Sequence, residues 1–295
     1  MNLLLPSIGN KVDLARLLGA AVHERGGRLL GSDLSPDAAA LAFVDMRVEL
    51  PCFDDARFWQ VFAAVARDAG IDAVVPVRNE ELPQWARRAA AGELPVRLML
   101  STERTLRICL DKAALYAAAE SAGIRCPPWQ PANAWIARPA VQCPVILKPV
   151  SGSGSRGIHV ARDSNELARW IEHLDRPYLV QAHKLGREFS VDCFAAASGV
   201  LDTVFVRERT QVQNGQCTIG TPVDDPELVS LCRSMARELH FRGVVNFQFI
   251  RDGEGAWLID LNPRFPGGIA QTESAGFAFC ERTVAALAGI GSSGA

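Results

Sequence analysis

The chain of 295 residues has no surplus of either charge: 31 basic against 33 acidic side chains leave a formal net charge of −2. So small a charge gives no bulk attraction to nucleic acid or to an anionic membrane surface. No apolar run approaches the 18 or more residues that would span a bilayer. Residues 1–5 are apolar, but Lys11, Asp13 and Arg16 follow at once, which is not the order of a secretory signal. There is no C-x-x-C pair and no Cys/His cluster with zinc spacing. The eight cysteines, Cys52, Cys109, Cys126, Cys143, Cys193, Cys217, Cys232 and Cys280, read as scattered thiols, and the expected compartment is a reducing cytoplasm. No internal repeat is seen. With 48% apolar and 22% charged residues, the composition is that of a globular protein of about two domains. Lysine is scarce: only Lys11, Lys112, Lys148 and Lys184 stand among 31 basic residues, the rest arginine.

The first hundred residues alternate strand and helix patterns. Strands are expected at 2–5, 28–31 and 73–77, and helices at 12–24, 54–69 and 80–91. That order implies a small parallel sheet with helices on its faces. One helix is expected over 106–122, stopped by Gly123, and prolines at 127, 128, 131 and 139 then mark irregular connections. Strands follow at 145–149, 158–161 and 178–181, with a helix at 166–174. The last third reads as strands at 189–196, 200–207 and 210–212, a helix at 226–239, strands at 244–250 and 256–260, and a helix at about 277–288. Residues 289–295 read as a disordered glycine/serine tail.

Two segments carry chemistry. Gly152-Ser153-Gly154-Ser155-Arg156-Gly157 matches G-x-G-x-x-G. A dinucleotide fingerprint needs a helix after the loop; here a strand follows, so the loop caps a β-hairpin, and the absence of G-K-[ST] excludes a Walker A loop. Such a hairpin either folds over phosphates through its exposed backbone N–H groups or is a flexible turn with no ligand. Lys148 lies just before it, in the apolar run Val145-Ile146-Leu147-Lys148-Pro149. A lysine there is costly unless it meets an anion, and a phosphate under the loop supplies one; a snorkelling edge lysine is the alternative. The second segment is Asp260-Leu261-Asn262-Pro263-Arg264. Asp260 and Asn262 are two apart on an extended stretch and point the same way. Both are oxygen ligands suited to Mg²⁺, and Arg264 falls in phase with them, able to hold a phosphoryl oxygen. Gln248 on the preceding strand is expected opposite Asp260. Together these are the parts of a phosphoryl-transfer site; an Asx turn before Pro263 with an incidental arginine is the alternative.

In combination and order, these segments resemble the ATP-grasp superfamily, in particular its carbamoyl-phosphate-synthase-like and carboxylate–amine ligase members, over residues 1 to about 288. The resemblance implies an α/β and α+β fold: a Rossmann-like domain over 1–100, a linker helix and small lid over 101–180, and a C-terminal α+β subdomain over 181–288. It implies ATP between the last two, with Mg²⁺ at one or two sites and Mn²⁺ as a substitute. It places Lys112 and Lys148 on the nucleotide phosphates beneath the mobile loop, with Gly152, Ser153, Gly154, Ser155 and Gly157. Gln181, Ala182 and His183 resemble the adenine hinge, and Glu188 of Gly186-Arg187-Glu188-Phe189-Ser190-Val191-Asp192 matches the ribose-binding position. Gln248, Asp260 and Asn262 match the magnesium ligands, and Arg264 matches the phosphate-contacting arginine. Arg207 and Arg209 fall where related ligases place basic residues near the acyl phosphate.

Three positions depart from the family pattern. Ala182-His183 follow the hinge glutamine where an acidic residue is common. Gln248 and Asp260 stand where Glu is common, which weakens metal binding. The implied reaction phosphorylates a small carboxylate for attack by an amine, releasing ADP and phosphate. Carbamoyl-phosphate-type activation and a non-catalytic nucleotide-binding module are the alternatives. The expected partners are the small carboxylate and amine and a second copy of the chain, with no nucleic acid and no membrane. Arg78, Asn79 and Glu80, at a strand end of the first domain, are expected to face the substrate. No general base is identifiable, and of the five histidines only His183 stands near the site.

Overall fold

The computed structural model describes residues 1–137, 141–152, 156–213 and 216–289. Strands β1 (Leu3–Leu5), β2 (Leu29–Gly31), β3 (Met46–Arg47), β4 (Ala73–Val74) and β5 (Arg97–Leu98) form one parallel sheet in the order β3-β2-β1-β4-β5. The central strand is leucine throughout because both of its faces are covered. Leu3 and Leu5 point to the side where helix α1 (Val12–His23) brings Leu14, Leu18 and Val22. Leu4 points to the other, where α2 (Phe58–Asp68) and α3 (Leu82–Ala90) bring Phe58, Phe62 and Trp85. Two expected boundaries move. The helix expected from residue 54 starts at Phe58, because the Asp55 carboxylate accepts from the Arg57 backbone N–H at 2.8 Å and holds a turn there. The strand expected over 73–77 stops at Val74; Pro76 has no N–H to give to a ladder.

The helix expected over 106–122 is two: α4 (Glu103–Leu110) and α5 (Lys112–Ser121). Asp111 between them leaves the helical region (φ −106°, ψ 110°), and its side chain caps α5 by accepting from Ala114 N at 3.0 Å. The proline-rich stretch expected to be irregular forms β6 (Trp129–Pro131) and α6 (Ala132–Ala137). With β7 (Val145–Pro149), β8 (His159–Ala161) and β9 (Tyr178–Ala182) it makes an antiparallel sheet in the order β6-β9-β7-β8. Helix α7 (Ser164–Ile171), capped by Asp163, places Leu167 in the core of this unit.

The third sheet contains β10 (Arg187–Ala195), β11 (Leu201–Gln213), β12 (Gln216–Pro222), β13 (Gly243–Asp252) and β14 (Gly255–Asn262), antiparallel in the order β12-β11-β10-β13-β14. The two strands expected at 200–207 and 210–212 are thus one, bent by register shifts at Arg209–Val212. Helices α4, α5 and α8 (Pro226–Leu239) cover one face with Cys109, Leu115, Leu228 and Met235. Helices α9 (Ile269–Ser274) and α10 (Phe279–Gly289) follow; α10 takes in Gly289, assigned above to the tail, and packs Phe279, Val284 and Leu287 into the core of the first sheet. Among the described residues, no helix is long and apolar enough to cross a membrane.

Candidate active site

Period-two alternation divides the third sheet into an apolar and a polar face. Phe189, Val191, Cys193, Phe247 and Phe249 point into the core under the helices. The intervening side chains point the other way, and the register lines them up: Ser190 pairs with Gln248 and Gln248 with Asp260; Asp192 pairs with Asn246 and Asn246 with Asn262. The expected apposition of Gln248 and Asp260 is present. A register shift between Gln248 and Phe249 leaves Ile259 as an extra residue on β14. Its carbonyl, released from the ladder, accepts from Tyr116 Oη at 2.8 Å and from Lys148 Nζ at 3.2 Å.

Lys148 is buried on β7, the strand that leads into the glycine loop. Its ammonium donates to the Tyr116 hydroxyl as well as to Ile259, and lies 5.0 Å from the Tyr116 ring centroid. All three partners are neutral. Burial, with the like charge of Lys112 added, lowers its pKa from 10.5 to about 7, against the pull of Asp260. Burial and Asp260 push the Tyr116 phenol well above its usual range, so it stays a donor. Lys112, at the first turn of α5, reaches Asp260 Oδ1 at 3.5 Å and the Gly152 carbonyl at 3.4 Å. Its backbone N–H donates to the Val150 carbonyl at 3.0 Å, which ties α5 to the strand below the loop.

These side chains line a cleft of about 400 Å³ between the hairpin sheet and the polar face. Of the residues expected at the site, the cleft brings together Lys112, Lys148, Gly152, Gln181, Ala182, His183, Glu188, Arg209, Gln248 and Asp260. Ile146, Ile158, Ile250 and Ile259 give it apolar walls, and Leu185, 74% exposed, stands at its edge. Gln181 is buried, its side chain beside the Tyr116 hydroxyl. The backbone N–H groups of Ala182 and His183 donate to the Pro128 and Pro144 carbonyls, at 2.8 and 3.1 Å, so they are not available to a ligand. Glu188 pairs with Arg209, Oε2 to Nε at 3.3 Å. Gly157, with φ +73°, stands beyond the loop; a Cβ there would meet Tyr178 Oη at 2.7 Å. Ser153, Gly154 and Ser155 lie outside the described residues.

Arg207 is not part of the cleft lining. It is buried against Asp192, and Asp192 also accepts from Asn246 Nδ2 at 2.6 Å and Thr272 Oγ1 at 2.5 Å. Asn262 and Arg264 also lie past the lining, toward the first sheet. Asn262 Oδ1 accepts from Asn79 Nδ2 at 3.0 Å and Arg264 Nη2 at 3.3 Å, and Asn262 Nδ2 faces Asp260 Oδ2 at 3.3 Å. Arg264 Nε donates to Asn79 Oδ1 at 2.6 Å. Asp260 is thus the one anionic group among the three expected metal ligands, and among the described residues no set of three or more His, Cys, Asp or Glu side chains is grouped to hold an ion. The arrangement suits a cation carried in with anionic oxygens of its own better than a cage made by the protein alone. Tyr116 and Ile259 were missed from the sequence. Tyr116 was findable, four residues after Lys112 and hence on the same helix face; the bulge that exposes the Ile259 carbonyl has no comparable signal.

Residues 175–294 match the family described as ATP-grasp in the biosynthetic pathway with Ter operon, and residues 3–94 match the PylC-like N-terminal domain. The carbamoyl phosphate synthase large chain of Clostridium acetobutylicum is 29% identical over 135 residues, which are 41% of this chain but only 13% of that relative. Among solved structures, the ADP complex of N5-carboxyaminoimidazole ribonucleotide synthetase superposes with a TM-score of 0.77 at 17% identity, over 97% of this chain and 76% of that one. An L-amino acid ligase from Bacillus licheniformis gives 0.76 at 17% identity, over 97% and 74%. At these identities the structural likeness speaks for the fold, and that fold agrees with the ATP-grasp match over residues 175–294 and the PylC-like match over residues 3–94.

Proposed function

We propose that the protein is an ATP-dependent ligase that activates a small-molecule carboxylate as an acyl phosphate and passes it to an amine, releasing ADP and phosphate. The observation that carries this reading is Lys148. Among the described residues it is a buried ammonium held by a phenol and a carbonyl, with no carboxylate in ion-pair distance, and it faces a cleft of the right size for a nucleotide. Such a group is costly unless an anion completes it. In this reading the apolar walls take the base, Glu188 takes the ribose, and Lys112 and Lys148 hold the phosphates beneath the hairpin loop. Asp260, with Gln248 beside it, would hold a magnesium ion brought in with the nucleotide; Mn²⁺ is the substitute to try. Bound there, the ion supplies neutralisation of phosphate charge. Arg264, fixed by Asn79, turns toward the transferring phosphoryl group. The chain's own contribution is positioning, cationic stabilisation and exclusion of water by the hairpin, not proton transfer.

The neighbours' names favour the same chemistry, since one joins amino acids. The single-carboxylate metal edge favours a second reading, a nucleotide binder without turnover. Release of phosphate and ADP from Mg-ATP, measured against pools of amino acids and small carboxylates, separates the two. The ligase reading expects release that needs a pool, needs an amine, and disappears in Lys148→Met. Release without an amine points to acyl-phosphate formation alone. ADP binding with no release from any pool supports the silent binder.

A further inference from the structure

The side-chain oxygen of Asn262 points toward the first sheet, not toward the Asp260 carboxylate. Its amide stands in a chain of hydrogen bonds from Arg264 to Asp260, and the chemistry of the two ends gives that chain one direction. Arg264 has donors and no acceptor, so the Asn79 atom that meets Arg264 Nε at 2.6 Å is the oxygen. The Asn79 nitrogen is left to donate to Asn262 Oδ1 at 3.0 Å. Arg264 Nη2 donates to the same oxygen at 3.3 Å. The Asn262 nitrogen then faces Asp260 Oδ2 at 3.3 Å, and a carboxylate accepts. Turning over either amide, or both, sets donor against donor and acceptor against acceptor. Both amides are buried, so water does not make up the loss.

An amide oxygen has two lone pairs, and on Asn262 both are taken. Asp260 in turn is held at both oxygens, Oδ2 by Asn262 and Oδ1 by Lys112 at 3.5 Å. Asn79 stands on a fixed base, since its carbonyl accepts from Leu82 N at 3.3 Å in the turn that opens α3. We propose that Asn79 is a positioning residue: from the first sheet it sets the direction of the Asn262 amide, so that Asn262 serves as a donor holding the Asp260 carboxylate and not as a ligand of the cation that accompanies the nucleotide. A cation at Asp260 rests on the nucleotide reading; the direction of the two amides does not. Residues that orient a metal ligand in this way typically change metal affinity by about 10–100-fold when they are lost.

ADP affinity of the full chain is measured by calorimetry over a series of Mg²⁺ concentrations, from EDTA upward, and the reading is the Mg²⁺ midpoint at which the affinity rises. Asn79→Ala is expected to raise that midpoint about tenfold or more. Affinity in EDTA, assigned above to Lys112, Lys148 and Glu188, is the reference against which the shift is read. The effect runs through Asn262, so in an Asn262→Ala background Asn79→Ala moves the midpoint no further. Asn79→Ser, which leaves a hydroxyl in the buried position, is the milder variant if alanine does not fold, and a shift in the same direction is expected from it. A midpoint that stays in place, or that falls because the freed Asn262 oxygen takes up the cation, overturns the proposal. So do additive effects of Asn79→Ala and Asn262→Ala, and a lower melting temperature with the midpoint unmoved, which marks a purely structural residue. The two ideas fail differently: wild type that binds no ADP at any Mg²⁺ concentration removes the nucleotide reading and the proposal with it, whereas Mg²⁺-dependent ADP binding with the same midpoint in the Asn79 variants removes the proposal alone.

Discussion

Burial strips water from the Lys148 ammonium and Lys112 adds a like charge, which together bring its pKa to about 7. Above that pH the free folded protein holds the group neutral, whereas the unfolded chain keeps it charged up to its ordinary 10.5. This lysine therefore favours unfolding least at high pH, and its contribution to stability rises as pH climbs from 7 toward 10.5. A phosphate placed against it reverses the shift. Nucleotide binding at pH 8.5 is then expected to take up about one proton. Titration calorimetry in two buffers of different ionisation enthalpy reads this directly, and Lys148→Met abolishes it; identical heats in both buffers for wild type contradict the assignment. Arg207 lies in the opposite situation, buried beside an anion rather than awaiting one. Arg207→Met leaves the Asp192 carboxylate buried with Asn246 and Thr272 as its side-chain donors among the described residues, an expected cost of about 3–5 kcal/mol in urea unfolding. A cost below about 1 kcal/mol means that the pair is dispensable to the fold.

At the scale of elements, the join between α4 and α5 sets where Lys112 stands. Asp111 and Asp163 are both helix caps, accepting from Ala114 N at 3.0 Å and from Asn165 N and Glu166 N at 2.9 and 2.8 Å. Alanine at either is expected to cost about 1 kcal/mol. Only Asp111→Ala is expected to weaken ADP binding as well, because only there does the next residue bridge Asp260 and the Gly152 carbonyl; equal ADP affinities in the two variants remove that link. This join was illegible in the sequence, where apolar residues run on at helical spacing through a capping residue. Helix α8 was legible to the residue, since Asp225 and Pro226 mark its start as cap and first turn. Period-two patterning put Gln248 and Asp260 on the polar face, and their apposition followed once the two strands were taken as antiparallel neighbours. Strands β3 and β5 contain two residues each, too few to show a period. Strand β6 was hidden because Pro131 ends it and more prolines surround it, and the Ile259 bulge because it is a displacement of register rather than of composition.

At the scale of the molecule, the contacts least visible in the sequence join its two ends. Asn79 bonds to Asn262 across 183 residues and fixes Arg264. Helix α10, the last described element, packs not on its own sheet neighbours alone but with Leu3, Leu5, Leu14 and Leu18 in one core. The same core includes Phe194 and Val244 of the third sheet. The far end of the chain therefore packs against α1 on one face of the parallel sheet, and the first hundred residues do not bury their apolar surface alone. Leu287 is fully buried in that shared core. Leu287→Ala is expected to cost about 2–5 kcal/mol, a large part of an ordinary domain's stability. If the core joins the units, calorimetry shows one transition in wild type, with calorimetric and van't Hoff enthalpies equal. In the variant that whole transition moves down, and ADP, bound at a cleft made without α10, raises it again by mass action. Two transitions, with Leu287→Ala lowering one and ADP raising only the other, show instead that the parallel sheet melts as a unit of its own.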